Sequence, residues 1–304
     1  MRSTIAVTGV TGFIGKHIVE KLLRQGFRVR ALTRKPRTSA TDHLVWVAGA
    51  LEDRRALDEL VRGAECIIHC AGQVRGADED TFISCNVSGS VRLMQAAQES
   101  GSCRRFLFIS SLAARSPQLS WYANSKHVAE QKLAAMSSPV SLGIFRPTAV
   151  YGPGDKELRP VFTWLLRGFL PCLGDPASRL SFLHVSDLSE AVCQWVMQPG
   201  AEAGPVELCD GIKGGYSWQR LQELGSAIRG KPVNLISIPL PLLKLAAGFS
   251  TLTHRFVGKD PMLTHSKIRE LTHRDWSASN ARAYECLDWK PEVSLERALR
   301  EGLF

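Results

Sequence analysis

Thr8-Gly9-Val10-Thr11-Gly12-Phe13-Ile14-Gly15 stands between two segments of different period. Before it, Thr4-Ile5-Ala6-Val7 is an apolar run of strand length. After it, Ile14, Ile18 and Leu22 recur every four residues with Val19 and Leu23 alongside, the spacing of an amphipathic helix. A strand, a turn with glycines at 9, 12 and 15 and a helix make an opening suited to a dinucleotide. Gly9 permits the tight turn, Gly12 lets backbone approach a pyrophosphate, and Gly15 lets helix and strand pack. The helix start adds unpaired N–H groups and partial positive charge for the phosphates. The spacing is GxxGxxG rather than GxGxxG, and such a turn also occurs for purely structural reasons. The rest of the chain has to decide.

Outward from this turn, strands and helices alternate. Arg28 to Thr33 reads as the second strand and Val45 to Val47 as a short third, followed by a helix from about Arg54 to Val61. Cys66-Ile67-Ile68-His69-Cys70-Ala71-Gly72 is a buried strand running into small residues, where backbone passes beneath a cofactor at Ala71 and Gly72. A helix is expected from Thr81 to about Ser100, a strand from Arg105 to Ser110, a helix from Tyr122 to about Met136 and a strand from Ser141 to Arg146. The alternation predicts an α/β, doubly wound parallel sheet of Rossmann type. Residues 1–155 form the expected dinucleotide-binding domain. Residues 156–304 form mainly a smaller C-terminal substrate-binding lobe, with about 181–210 returning to the main sheet.

The bulk properties narrow the function. The 304 residues are 44% hydrophobic and 22% charged, as in soluble globular proteins. The net charge of +9 is dispersed, and its densest group, Arg34-Lys35-Pro36-Arg37, falls where a cofactor phosphate would lie. An anionic cofactor accounts for it better than nucleic acid. Eight cysteines show no CxxC and no clustering with histidine, so neither a disulfide framework nor a metal site is expected. A strand at the very start argues against a signal peptide. The apolar stretch Ile236 to Phe249 spans 14 residues, holds Lys244 and two prolines, and is too short for stable membrane insertion. A cytoplasmic, reducing location is the resulting expectation.

Tyr122 and Lys126 stand four apart and so share one face of their helix. A tyrosine hydroxyl titrates near pH 10, and bringing it to about 7 takes roughly three units, or about 4 kcal/mol. A nearby ammonium and an oxidised nicotinamide both act in that direction. Ser110 or Ser111, at a strand's C-terminal end, can hydrogen-bond the same substrate oxygen. At the end of the second strand, Thr33, Arg34 and Lys35 offer a hydroxyl and two cations where an acidic residue would bind the free ribose hydroxyls of NAD. That favours the 2′-phosphate of NADP, with NAD as the other possibility. His69, inside an apolar strand, reads as a structural group rather than a catalytic one.

TGVTGFIG at 8–15, HCAG at 69–72, NVSGS at 86–90, FISS at 108–111, YANSK at 122–126, RPTAVYGPGD at 146–155 and FLHVSDL at 182–188 together resemble an extended short-chain dehydrogenase/reductase, the superfamily also described as NAD-dependent epimerase/dehydratase. The resemblance runs nearly the whole chain. It implies Tyr122 as acid/base, Lys126 as its partner and a ribose ligand, and Ser111, with Ser110 as the fallback, as the substrate-orienting hydroxyl. It further implies Asn86 as holder of a proton-relay water and Pro147 to Val150 as the nicotinamide wall. Thr11, Phe13, Ile14 and Leu51 complete the implied cofactor contacts.

The departures are informative. Gly49-Ala50-Leu51 lacks the aspartate that many members place near adenine. The interval from Ser111 to Tyr122 is 11, shorter than in sugar-nucleotide members. Leu112-Ala113 replaces the Asp-Glu pair of the dehydratases, and Leu180 stands where epimerases often carry a phosphate-binding arginine, with Arg179 one step off. Ile236–Phe249 reads either as a greasy lid or as a plain buried helix. The leading expectation is hydride transfer between NADP(H) and a carbonyl/alcohol carbon of a fairly apolar small molecule. A nucleotide-sugar 4-epimerase with retained NAD is the second, and a non-catalytic dinucleotide-binding protein the third. By analogy, the helices at 81–100 and 122–136 offer a homodimer contact.

Overall fold

The opening apolar run is β1, Thr4–Thr8, and the four-residue repeat after the glycine turn is α1, Phe13–Arg24. The computed structural model describes residues 3–38, 41–136, 139–198, 200, 204–239, 241–242 and 265–304. The chain continues through β2 (Arg28–Thr33), β3 (Leu44–Ala48), α2 (Arg54–Val61), β4 (Cys66–His69), α3 (Glu79–Phe82), α4 (Gly89–Glu99), β5 (Arg105–Ile109), α5 (Trp121–Ala135) and β6 (Ser141–Pro147). From one edge, the sheet order is Val206–Leu208, β6, β5, β4, β1, β2, β3, and every pairing is parallel. The chain therefore winds outward in both directions from β1, and strand order reverses between β1 and β4. That crevice is where doubly wound sheets place their ligands.

Alternation along β1 supplies both halves of the core. Ile5 and Val7 face Ile18 and Leu22 of α1 and Leu188 and Val192 of the Val185–Met197 helix. Ala6 faces the other way, toward Leu57, Leu93 and Leu133. Fully buried Ile18 and Leu22 each contribute about 1.5–3 kcal/mol, enough to hold α1 and its phosphate-facing start in register.

The helix expected over 81–100 is not continuous. A π turn, Ile83–Ser88, separates α3 from α4 and swings Asn86 inward. Of the 181–210 stretch, Val206–Leu208 pairs with β6 in the main sheet, whereas Phe182–His184 pairs with Ala149–Tyr151 in a separate two-stranded sheet. A third core of Tyr151, Phe162, Leu170, Phe182, Trp218 and Leu295 fills the C-terminal lobe. The carboxylate of Asp187 accepts from Val293 N–H at 3.0 Å, and His184 Nε2 bonds the Leu303 carbonyl at 3.0 Å, so the FLHVSDL segment anchors the chain's end. Ile236 to Ile238 close a strand, Asn234–Ile238. The remainder of the expected lid or helix lies largely outside the described residues.

Candidate active site

The glycine turn is shaped by contacts that no side chain could share. Gly9 has a φ of +73°, and a Cβ there would sit 2.6 Å from the Ala71 nitrogen at the end of β4. A Cβ on Gly15 would fall 2.2 Å from the Gly9 carbonyl oxygen. Gly12 is the N-cap of α1 and supplies no side-chain cap, and the first turn holds no acidic residue. The N–H groups at this helix start thus face the switch point uncapped, the arrangement that suits a pyrophosphate. Thr11 is exposed beside it, Phe13 and Ile14 are half-buried, and His17 holds the Pro153 carbonyl at 2.9 Å, folding the 152–155 turn over the helix start.

Around this cradle lie the other expected cofactor residues. Thr33 is buried and donates its hydroxyl to the Lys35 carbonyl at 2.9 Å, so it shapes the turn, while Arg34 and Lys35 are exposed. Leu51 is buried against α4 at a point where a Cβ on Gly89 would meet it at 2.8 Å. Gly72 passes so close to Lys126 and Asn86 that a Cβ would lie 3.1 Å from the ammonium nitrogen and 3.2 Å from the amide oxygen. Pro147 ends β6, Val150 is half-buried, and between them the Thr148 hydroxyl is buried without a hydrogen-bond partner. An uncapped helix start, a cradle free of Cβ atoms and an unpaired buried hydroxyl together fit a bound nicotinamide dinucleotide.

On the substrate side the two serines part company. Successive residues at a strand end point oppositely. Ser110 is buried and donates to Glu130, which is also paired with Arg146, Nε to Oε1 at 3.0 Å. Ser111 turns the other way: its Oγ accepts from Ala113 N–H at 3.2 Å, and its hydroxyl acts on Tyr122 to hold the phenol's titration down. Ser120 N-caps α5 through Ala123 N–H at 3.0 Å, which fixes Tyr122 in the first turn. Asn86 donates to the Gln73 carbonyl at 3.0 Å and to Ser125 Oγ at 2.8 Å, and Ser125 in turn donates to the Tyr122 carbonyl. Lys126 Nζ donates to the Ile109 carbonyl at 2.9 Å and lies 4.7 Å over the Phe108 ring.

The titration of this cluster differs from the sequence expectation. Burial pushes the Tyr122 hydroxyl up to about 12; the Ser111 hydrogen bond works against that and the Glu270 carboxylate adds to it. Lys126 does not offset the rise, because its ammonium is committed to the Ile109 carbonyl and is itself desolvated, down to about 8. His69 is fully buried between Thr8 Oγ1 at 2.6 Å and Ser90 Oγ at 2.8 Å, and burial brings it down to about 3. It is a neutral structural group.

Two site residues escaped the sequence. The His265–Leu271 helix brings Lys267 to 5.7 Å from the Tyr122 ring centre and pairs it with Glu270. Glu270 also accepts from Ser120 Oγ at 2.7 Å, clamping the start of α5. Nothing local in the sequence marks a residue 150 positions away as the partner of Ser120. No group of three or more His, Cys, Asp or Glu among the described residues is arranged to hold a metal.

The profile of the NAD dependent epimerase/dehydratase family matches residues 5–205. A ceramide reductase of Caulobacter vibrioides is 35% identical over 288 residues, covering 92% of this chain and 87% of that protein. A UDP-glucose 4-epimerase of Vibrio cholerae is 24% identical over 332 residues, covering 99% and 94%. Among solved structures, MoeE5 in complex with UDP-glucuronic acid and NAD superposes with a TM-score of 0.73 at 22% identity, covering 98% of this chain and 96% of that one. The UDP-glucose 4-epimerase of Thermotoga maritima gives 0.72, 22%, 98% and 96%. These structural likenesses concern the fold.

Proposed function

From the premise that this chain belongs to the NAD-dependent epimerase/dehydratase family and is an enzyme of the dehydrogenase/reductase kind, we propose that it reduces a carbonyl on an apolar, ceramide-like lipid. The convergence of Ser111, Tyr122 and Lys126 at the switch point carries the proposal. A bound reduced nicotinamide supplies the hydride. Ser111 orients the substrate oxygen, and Tyr122 gives it the proton that completes the alcohol. Lys126, desolvated to about 8, exchanges protons readily near neutrality and refills Tyr122 through the neighbourhood of Asn86. The hydroxyl's upward shift in this chain suits an acid that must hold its proton until hydride arrives.

Substrate class follows from what the walls lack. Leu112 and Ala113 are buried at the positions where dehydratases carry carboxylates, and Leu180 replaces a phosphate-binding arginine. The 35% identity to a ceramide reductase supports the same class. Arg34 and Lys35, exposed at the end of β2 with no carboxylate in Thr33-Arg34-Lys35, support NADPH as the reductant. Freshly purified protein is expected to exchange its cofactor freely, to prefer NADPH over NADH and to oxidise it when given a keto analogue of a ceramide.

A 4-epimerase is the second reading, supported by the epimerase relative that covers 99% of this chain. Tightly retained NAD together with interconversion of UDP-glucose and UDP-galactose would decide for it and against reduction.

A further inference from the structure

Phe169–Leu173 and Asn234–Ile238 form a parallel two-stranded sheet with Phe169 opposite Asn234, Pro171 opposite Ile236 and Leu173 opposite Ile238. Leu170 and Cys172 point inward and are fully buried. The residues between them therefore share the opposite face. On that face Phe169 is 51% and Ile236 48% exposed, and Trp164, on the helix leading into the first strand, is 48% exposed. Single exposed apolar residues are ordinary; an aromatic and an aliphatic side chain on one sheet face, with a tryptophan close by, form a patch.

Two exposed cations flank the start of this patch. Arg167 and Lys231 are exposed at the leading ends of the two strands. Arg229 bonds the carbonyls of Leu166 at 2.9 Å and Pro232 at 2.6 Å, tying those ends together. No acidic residue occurs from Leu158 to Gly174 or from Leu224 to Ile238, whereas the second run holds Arg229 and Lys231. A second copy of the chain would bring these cations against themselves. An apolar face with exposed cations at the leading ends of both its strands matches a surface that is greasy beneath and anionic on top.

We propose that this sheet face docks the enzyme peripherally on an anionic phospholipid bilayer. No helix among the described residues is long and apolar enough to cross a membrane, so the contact is with the surface. The far end of the first strand also touches an element of the site. Gly174, directly after that strand, abuts Thr272, and the His265–Leu271 helix runs from there to Lys267 over the Tyr122 ring, a span of about 7.5 Å at 1.5 Å per residue. The purpose of docking, access to a lipid substrate, rests on the function proposed above; the docking itself does not.

Co-sedimentation of the full chain with phosphatidylglycerol/phosphatidylcholine vesicles tests it. Wild-type protein is expected to pellet with them and to bind pure phosphatidylcholine at least about tenfold more weakly, since each cation near an anionic surface is worth about fivefold. Phe169→Glu/Ile236→Glu should abolish pelleting. Arg167→Glu/Lys231→Glu, wholly at exposed positions, should weaken it about tenfold or more with the melting temperature unchanged. Both should keep turnover on a detergent-dispersed ketone. Failure of the wild type to pellet, equal binding to neutral vesicles, or pelleting indifferent to both double variants overturns the proposal. So does a dimer that Phe169→Glu/Ile236→Glu dissociates, because the occupant is then a second copy. Vesicle binding without ketone reduction leaves the docking face standing and removes the reductase; reduction without vesicle binding does the reverse.

Discussion

The two walls of the site are made of different material. The cofactor wall is backbone: Gly9, Gly12 and Gly15 meet the ends of β1 and β4 within one short stretch of chain, and its contacts exclude side chains. The wall we propose for substrate is side chain: Ser111, Tyr122, Lys126, Lys267 and Glu270 converge from three separate elements. A backbone wall is rigid and serves any reaction of the fold, whereas a side-chain wall can be changed one group at a time.

The largest effect that separates the walls is chemical. Tyr122→Phe is expected to lower kcat about 10²–10⁴-fold while cofactor affinity changes less than about twofold. Turnover surviving in that variant would erase the distinction. On the backbone side, Gly15→Ala forces a Cβ to 2.2 Å from a carbonyl oxygen and should cost about 3 kcal/mol of stability together with cofactor binding, read by denaturant titration and fluorescence. A Gly15→Ala protein as stable as wild type would mean that the turn yields.

Smaller changes sharpen the contrast. Glu270 holds Tyr122 upward, so Glu270→Gln lowers the phenol's titration. Reduction needs the protonated phenol and is lost as pH rises through its pKa; the alkaline limb of kcat should therefore move to lower pH, burial still holding most of the rise. An unmoved limb would make Glu270 a clamp on Ser120 and nothing more. The smallest effect belongs to Arg34→Ala, which should weaken NADPH about fivefold, the scale of an exposed ionic contact, and leave NADH nearly unchanged. Equal losses for both cofactors would remove Arg34 from phosphate recognition.

The same difference governs what could be read from the sequence. The parallel sheet, α1 and the glycine turn were legible because they depend on spacing within about 20 residues: the 3.6-residue repeat of Ile14, Ile18 and Leu22, and the apolar strands between breakers. The pair Ser110 and Ser111 showed that one hydroxyl faces substrate but not which, because the choice depends on Glu130 and Arg146 behind the strand. The π turn at Ile83–Ser88 has no compositional mark, and its inserted residue is stabilised by the Gln73 and Ser125 bonds to Asn86. The upward push of burial on Tyr122 was not legible because burial is a property of the whole fold. Glu270 was invisible for the same reason.

The bond between Ser120 and Glu270 also sets a schedule. A ribosome adding about 5–20 residues per second needs about 8–30 s to travel from one to the other. The strands β1 to β6 and their helices are already outside the tunnel during most of that interval. The nascent chain thus acquires its nucleotide cradle first and its catalytic helix clamp last, so ligand can help the first half hold its shape while the second is still being made.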